Sequence, residues 1–547
     1  MAVVQFEKRA LEAMVGRRLT EADYKERIPM FGCPLEKSDA TSVHYEVSPN
    51  RPDMFSIEGF GRAIRRFTAT GKQKLSNYKT AAGIITLKVD ASVQQVRPCV
   101  TCAVVRNVKI TDDLIASLMQ AQEKLHDTLG RKRKKVAIGI HDLSKVQPPF
   151  TYKAVAPDAI KFLPLDMRRE MTLREILKQH PKGKAYAHVI ESAKKWPVIV
   201  DKKERVLSFP PIINGELTRV TNRTKDIFID VTGTDERAIN QALNILATSF
   251  ADRGCKVETV QVVAGGKRRS TPDLSAWKMK TDVSYVNKIL GLKLDKKQMA
   301  ALLEKMDVGF DGTNAIIPPY RTDVMHPMDI AEDVAIAYGY DKFEPTVPEV
   351  PTIAQPLEKH ERLYAVKQIM AGIGFQEVVC LTLSNVGDEF DRMDAPRQPV
   401  AETRNAVTPE CNICRRDVLP SIMDVLANNQ HYEYPQKIFE AGDVVVLDPA
   451  SETGARNVKK LAAAIADTRA SYADVASVLA SFMESAGVKY ELRAAKHPSF
   501  IEGRMAEIIA GGKAIGVIGE INPKALSNWK MDMPVAAFEV DLDALKA

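Results

Sequence analysis

Apolar residues recur along this chain at two spacings, and the switches between them outline its elements. Leu11, Met14 and Val15 fall at helical spacing within residues 7–15. Ile57, Phe60, Ile64 and Phe67 recur about every 3.6 residues and predict a second helix. Gly59 and Gly61 weaken that helix, which points to close approach by another backbone. Between the two helices, Ser48-Pro-Asn-Arg-Pro-Asp53 reads as a rigid turn, because its prolines fix φ and Asn50 and Asp53 offer acceptors to free N–H groups.

A larger α/β region spans residues 95–265. Cys102-Ala-Val-Val reads as a strand, and residues 113–129 as an amphipathic helix with Leu114, Leu118, Ala121 and Leu125 on one face. Five consecutive cations, Arg131, Lys132, Arg133, Lys134 and Lys135, form a turn into the strand 136–140. They suit a phosphate backbone, although a solvated approach to a hairpin is the plainer account. The segment Phe209-Pro-Pro-Ile-Ile-Asn214, a strand over 227–231 and a helix over 236–250 follow.

Residues 270–345 are mostly helical, with helices expected at 285–290, 296–306 and 329–338 and a short strand at Ala315-Ile-Ile. Pro345, Pro348, Pro351 and Pro356 make a stiff linker. Beyond it, Leu363, Val366, Ile369 and Ile373 mark one helix. Tyr472, Val475, Leu479, Phe482 and Ala486 mark another, and residues 444–447, 514–518 and 536–540 are strand candidates. No internal repeat or low-complexity tract interrupts the pattern. Four domains are therefore expected, at 1–92, 93–268, 269–345 and 346–547. Length agrees, since 547 residues at roughly 150 per domain give three or four.

With 45% hydrophobic and 27% charged residues, each domain can bury a core, so disordered, collagen-like and disulfide-scaffold classes are excluded. The net charge of +7 suits an acidic partner such as RNA without requiring one. Seven cysteines, an odd number, read as reduced thiols in a cytoplasm. No signal peptide is recognisable, and no run approaches the ~18 apolar residues of a spanning helix, so a soluble protein is expected.

Several chemistries lack their motifs. There is no Gly-x4-Gly-Lys-Ser/Thr loop, no Gly-x-Ser-x-Gly elbow and no His-Glu-x-x-His helix. Cys99/Cys102 and Cys411/Cys414 are CxxC pairs far apart in sequence, and buried thiols explain them better than zinc.

Two clusters carry candidate chemistry. A helix starting near Pro327 sets Asp329, Glu332 and Asp333 at i, i+3 and i+4, with Asp323 entering from the preceding loop. Four converging carboxylates call for a cation, and oxygen-only ligands suit Mg²⁺. From spacing alone, an acidic first helical turn favoured by the helix dipole is the stronger reading. The second cluster is Asn214, Glu216 and Thr218, with Thr221 and Thr224, followed by Asp230, Thr232 and Thr234. Such polar density beside strand residues suits a pocket for a hydroxyl-bearing ligand. Turn and N-cap chemistry, with Thr234 or Asp235 capping the next helix, suits it equally.

Taken together, the motifs resemble one family. Ser48-Pro-Asn-Arg-Pro-Asp53 with Glu58-Gly59, Phe209-Pro-Pro-Ile-Ile-Asn214, Asp230-Val-Thr-Gly-Thr-Asp235, Pro318-Pro-Tyr-Arg-Thr-Asp323 with the segment 329–340, and Lys437-Ile-Phe-Glu-Ala-Gly-Asp443 are similar, in order and spacing, to the β subunits of phenylalanyl-tRNA synthetases of archaeal/eukaryotic type. The resemblance covers nearly the whole chain. It implies a multidomain α+β fold: a small N-terminal α/β interface domain, an α/β tRNA-editing domain, a small helical winged-helix-like domain that binds metal, and a C-terminal class II synthetase-like antiparallel sheet with helices that is not catalytic.

It also implies a cytoplasmic (αβ)₂ ligase acting on tRNA(Phe), with no role for membrane or DNA. The α subunit would carry ATP-dependent aminoacylation. Cys414-Arg-Arg-Asp-Val-Leu-Pro420 is only loosely similar to the arginine-bearing motif of active chains, which suits a scaffold that docks on the α subunit. Asp323, Asp329, Glu332 and Asp333 match the family's Mg²⁺ site, shared with the α subunit, and the resemblance turns the reading of that cluster toward metal. Asn214, Glu216, Thr218, Asp230, Thr232 and Thr234 become candidates for hydrolysing Tyr-tRNA(Phe). The physical need is clear, because a pocket shaped for phenylalanine rejects one added hydroxyl by only ~10²-fold. Gly215 stands where many relatives are expected to carry serine, which leaves open a docking subunit with an inactive editing site.

Overall fold

The computed structural model describes residues 2–69, 71, 74–350 and 352–545. The chain divides into two compact units, 1–347 and 348–547, and the division falls in the proline linker.

The first unit begins with a three-stranded antiparallel sheet in which Ser42–Val47 lies between Ala2–Glu7 and Leu35–Ser38. The helix Ile57–Phe67 starts at Ser56, whose hydroxyl accepts from the Gly59 N–H at 3.1 Å. Its two glycines are there for space. A Cβ at Gly59 would lie 1.7 Å from the Asp53 carbonyl oxygen, and one at Gly61 would lie 2.5 Å from Met14 Cβ.

The main sheet of this unit has ten strands. Across it run Ile213–Asn214, Val206–Phe209, Trp196–Val200, Phe150–Val155, Thr86–Val89, Lys256–Ala264, Cys99–Arg106, Ile227–Gly233 and Val136–Asp142, with Lys267–Thr271 also paired to Lys256–Ala264. Thr86–Val89 runs parallel to both of its neighbours, and the other pairs are antiparallel. The sheet thus takes a strand from before position 93 and another that continues past 268. On one face, Ile229, Val231 and Val105 pack with Leu243 and Leu246 of the helix Glu236–Asp252 and with Leu118 of the helix Asp112–Asp127. On the other, Val100, Cys102, Phe228 and Phe150 form a second core.

The last part of the first unit combines the helices Val283–Leu290, Lys296–Lys305 and Pro327–Tyr338 with a three-stranded antiparallel sheet whose central strand is Asn314–Ile317.

The second unit holds a seven-stranded sheet in the order Gln376–Glu377, Gln436–Leu447, Ala455–Ala466, Val535–Asp541, Lys513–Ile521, Phe500–Ala510, Glu491–Ala494. Only the first pair is parallel. The helix Leu419–Asn428 covers one face through Ile422, Met423 and Leu426. Tyr472–Ser485 covers the other through Val475, Leu479 and Phe482, joined by Met370 of the helix Glu358–Gly372. Among the described residues no helix is long and apolar enough to cross a membrane. All seven cysteines are free thiols.

Candidate functional site

Strand alternation decides which polar groups of the Ile227–Gly233 strand share a face. Ile227, Ile229 and Val231 go to the helix side, which leaves Asp230 and Thr232 on the opposite face. Asp230 is paired across to Gly139 on one neighbour and Cys102 on the other. Gly139 leaves the room that Asp230 occupies, since a Cβ there would lie 2.2 Å from Asp230 Oδ2 and 2.6 Å from His141 Nε2.

His141 is the residue that sequence reasoning missed. Its Nε2 lies 2.6 Å from Asp230 Oδ2 and its Nδ1 lies 2.8 Å from Thr218 Oγ1. All three side chains are buried. The available signal was the spacing Gly139-Ile-His141, which sets a gap and an imidazole on one face of one strand.

The other candidates have separate partners. Thr232 is held by buried Arg97, whose Nε donates to the hydroxyl at 2.9 Å and whose Nη2 donates to the carbonyl oxygen at 2.7 Å. Burial lowers the Arg97 guanidinium to about 10. Asn214 Nδ2 is 3.5 Å from the Ile140 carbonyl oxygen, the limit of a hydrogen bond. Glu216 is taken up by Arg219 at 2.7 and 2.8 Å, on the outer side of the turn. Thr234 is exposed, and Asp235 rather than Thr234 caps the helix Glu236–Asp252, accepting from the Ala238 N–H at 3.1 Å. The structure therefore joins Thr218 and Asp230 through His141 and leaves Asn214, Glu216, Thr232 and Thr234 outside that network.

Gly215 lies against a neighbouring strand. A Cβ there would be 2.8 Å from the Val206 carbonyl oxygen, so a serine requires the backbone to shift.

The basic turn is not a wholly solvated run. Arg131, Lys132 and Arg133 carry φ values of 46°, 52° and 65°, a left-handed stretch that turns Arg133 inward. Its Nη1 donates to the Pro211 and Ile212 carbonyl oxygens at 3.2 and 2.9 Å, and its guanidinium lies 4.4 Å over the Tyr186 ring. Arg133 thus fastens the Pro-Pro-Ile-Ile-Asn segment. Arg131, Lys132 and Lys134 remain exposed.

The four carboxylates expected to converge on Mg²⁺ do not converge. Arg321 stands among them. Its Nη2 donates to Asp323 Oδ2 at 2.7 Å and to Asp333 at 3.0 and 2.9 Å, and its Nε donates to Asp323 Oδ1 at 2.9 Å. Asp329, in the first turn, completes the capping box of the helix whose cap is His326, its Oδ2 accepting from the Met325 and His326 N–H groups at 2.6 and 2.7 Å. Glu332 is exposed and Asp333 buried, because successive helical residues diverge by about 100°. Burial alone would raise Asp323, yet Arg321 outweighs it and holds the carboxyl down at about 2. Asp333 is deeper, and burial pushes it up to about 6 despite Arg321. Among the described residues no group of three or more His, Cys, Asp or Glu side chains is disposed to hold a metal ion. With Asp323 and Asp333 paired to Arg321 and Asp329 bonded to backbone N–H groups, these side chains as placed do not fit Mg²⁺.

In the second unit, the Cys414-Arg-Arg-Asp-Val-Leu-Pro420 segment is claimed by carboxylates of the same unit. Arg415 pairs with Glu440 at 2.6 Å and donates to the Asp443 carbonyl oxygen at 2.9 Å. Glu389 Oε1 accepts from the Arg416 and Asp417 N–H groups, both at 2.7 Å. Glu539 Oε2 accepts from the Val418 and Leu419 N–H groups at 2.8 and 2.7 Å. The start of the helix Leu419–Asn428, ordinarily open to an anion, is thereby filled.

The chain matches known proteins over most of its length. Three family models match in order: the B3/4 domain at residues 103–264, the tRNA synthetase B5 domain at 279–340, and the phenylalanyl tRNA synthetase β chain CLM domain at 343–542. An N-terminal fragment of the phenylalanyl-tRNA synthetase β subunit from Pyrococcus horikoshii, solved by crystallography, superposes with a TM-score of 0.59 at 36% identity, covering 62% of this chain and 99% of that one. The phenylalanine–tRNA ligase β subunit of Archaeoglobus fulgidus is 43% identical over 525 residues, 95% of this chain and 94% of its own length. That of Methanocaldococcus jannaschii is 39% identical over 552 residues, 99% of this chain and 100% of its own. With identity at this level running from end to end, the chain belongs to the family of phenylalanine–tRNA ligase β subunits.

Proposed function

We propose that the chain acts in the cytoplasm as the β subunit of an (αβ)₂ phenylalanine–tRNA ligase. In this reading the α subunit charges tRNA(Phe) with phenylalanine at the expense of ATP, and the β subunit hydrolyses tyrosine misplaced on the same tRNA. The second unit then serves as a class II-like scaffold. Two features support a scaffold. Arg415 is already committed to Glu440, so it is not free for a triphosphate. Val379 and Leu381, 82% and 71% exposed, follow the edge strand Gln376–Glu377 and offer apolar surface to a partner subunit.

The observation that carries the editing reading is Asp230, a carboxylate inside the B3/4 region with one oxygen fixed by His141 and the other, Oδ1, without a hydrogen bond from any described residue. A carboxylate oxygen so placed accepts a hydrogen bond from a tyrosine phenol or from the water that attacks the ester. Phenylalanine leaves such an acceptor unpaired, which is the basis for sparing the correct product.

The test uses the purified complex with its α subunit and Tyr-tRNA(Phe). Deacylation above buffer is expected, falling by about 10²-fold in Asp230→Asn while phenylalanine charging is retained. The second reading, a tRNA-docking subunit with a dead editing site, is favoured by Gly215, and the absence of deacylation in the wild-type complex would establish it. Full hydrolysis by the chain without a partner would instead mark a free-standing deacylase.

A further inference from the structure

We propose that His141 is the positioning residue of the deacylation site: it holds the Asp230 carboxylate in one orientation, and Thr218 in turn fixes the imidazole. The inference rests on the reading of Asp230 as a member of that site.

An ionised carboxylate only accepts, so the 2.6 Å contact to Asp230 Oδ2 requires the proton on His141 Nε2. Nδ1 faces the Thr218 hydroxyl at 2.8 Å, a group able to donate or accept, so both ring nitrogens are engaged. Neither nitrogen is left for solvent, because His141 is 0% exposed. The ring cannot rotate away without stranding a buried polar group, which costs about 1–3 kcal/mol. Phe228, opposite His141 in the strand register with ring centroids 6.2 Å apart, closes another side.

Gly139 supplies the second, independent constraint. Any side chain at 139 would strike both Asp230 Oδ2 and His141 Nε2. The gap beside the strand is shaped for the pair together. Asp230 itself is opposite Gly139, which has no side chain to hold it, so His141 is the side chain that fixes its Oδ2. Orientation matters for a group that must meet a hydroxyl or a water at hydrogen-bond distance, and a displacement of ~1 Å at such a group can cost about 10²-fold in rate.

This assignment also separates the roles of two candidates. Thr218 is 1% exposed and its hydroxyl also lies 3.3 Å from the Gly215 carbonyl oxygen. It supports the imidazole and does not touch substrate. Asp230 is the member of the network with an oxygen left over.

The experiment compares wild type, His141→Asn, His141→Gln and Thr218→Val, each as the full chain in complex with the α subunit, by steady-state hydrolysis of Tyr-tRNA(Phe), with phenylalanine charging measured on the same preparations. The asparagine amide takes the place of Nδ1 and falls short of Asp230, whereas the glutamine amide reaches the place of Nε2. The expected result is a kcat about 10²-fold down in His141→Asn with KM within about twofold, and most of kcat recovered in His141→Gln. Thr218→Val, nearly isosteric, is expected to lower kcat without raising KM. Equal losses in the two His141 variants, or full hydrolysis by His141→Asn, overturn the assignment. If His141→Asn fails to charge, and so is not assembled, an unchanged kcat in Thr218→Val overturns it. A wild-type complex that charges but does not deacylate removes the deacylation reading itself, and this assignment with it.

Discussion

Arg415 and Glu440 form a 2.6 Å ion pair inside the second unit, with only 1% and 4% of their side-chain surfaces exposed. A Cβ at Gly442 would lie 2.4 Å from the Arg415 Nη2, so the neighbouring strand has been kept bare to admit the guanidinium. Desolvating two charges makes such a pair a weak source of net stability, but breaking it leaves a charge stranded. Arg415→Met is therefore expected to destabilise the chain by about 3–5 kcal/mol, and Arg415→Met with Glu440→Leu to recover much of that. Chemical denaturation of the three proteins measures both. A single variant as stable as wild type would show that the pair is not sealed.

Acid–base linkage gives a second test. Burial, reinforced by Asp417, pushes the Glu389 carboxyl up to about 8, against the two backbone N–H groups that bind it. Glu539 is shifted upward by burial too. An acid raised in the folded state keeps its proton while the unfolded chain loses it. The contribution of Glu389 is complete below its ordinary value of 4.5 and is lost as pH rises through 8. Glu389→Gln imitates the protonated acid. It should match wild type near pH 5 and exceed it at pH 8.5 by about 1–3 kcal/mol. Melting temperatures across that range check it, and parallel curves for the two proteins would contradict the shift.

The Arg321 geometry makes a claim about metal. If Arg321 already pairs with Asp323 and Asp333, EDTA and Mg²⁺ should leave the melting temperature of the isolated chain where it was. Arg321→Met, which strands both acids, should cost about 3–5 kcal/mol. Arg321→Lys should rescue little of it, since an ammonium cannot reproduce the forked contact. A wild-type chain whose melting point tracks Mg²⁺ would mean that the acids rearrange around an ion.

Gly215 offers a fourth. The close Val206 carbonyl oxygen predicts that Gly215→Ser costs about 1–3 kcal/mol through a forced backbone shift. Restoring the residue expected of relatives should not raise Tyr-tRNA(Phe) hydrolysis. A serine variant that is stable and faster would reverse the role given to this position.

Much of the architecture was legible because it is written in local terms. The helix Ile57–Phe67 follows from the spacing of Ile57, Phe60, Ile64 and Phe67, and Asp235 is one of the two caps the sequence offers the helix Glu236–Asp252. The tightness around Gly59 and Gly61 follows from their place inside a helix. Non-local geometry was not legible. His141 and Asp230 are 89 positions apart and meet only through sheet register. The spacing of the carboxylates favours an acidic helical turn, and the family resemblance points to metal, but neither shows where the Arg321 guanidinium lies. That guanidinium is buried and pairs with Asp323 and Asp333. Arg133 looked like one of five surface cations until three left-handed residues turned it toward Pro211.

The strand Thr86–Val89 sits in the middle of the ten-stranded sheet, between Phe150–Val155 and Lys256–Ala264. A fragment cut to begin after residue 92 would lose a plank from the interior rather than a tail from the rim. It would bare two facing rows of amides and carbonyls in its middle, an invitation to borrow a strand from another molecule and to aggregate.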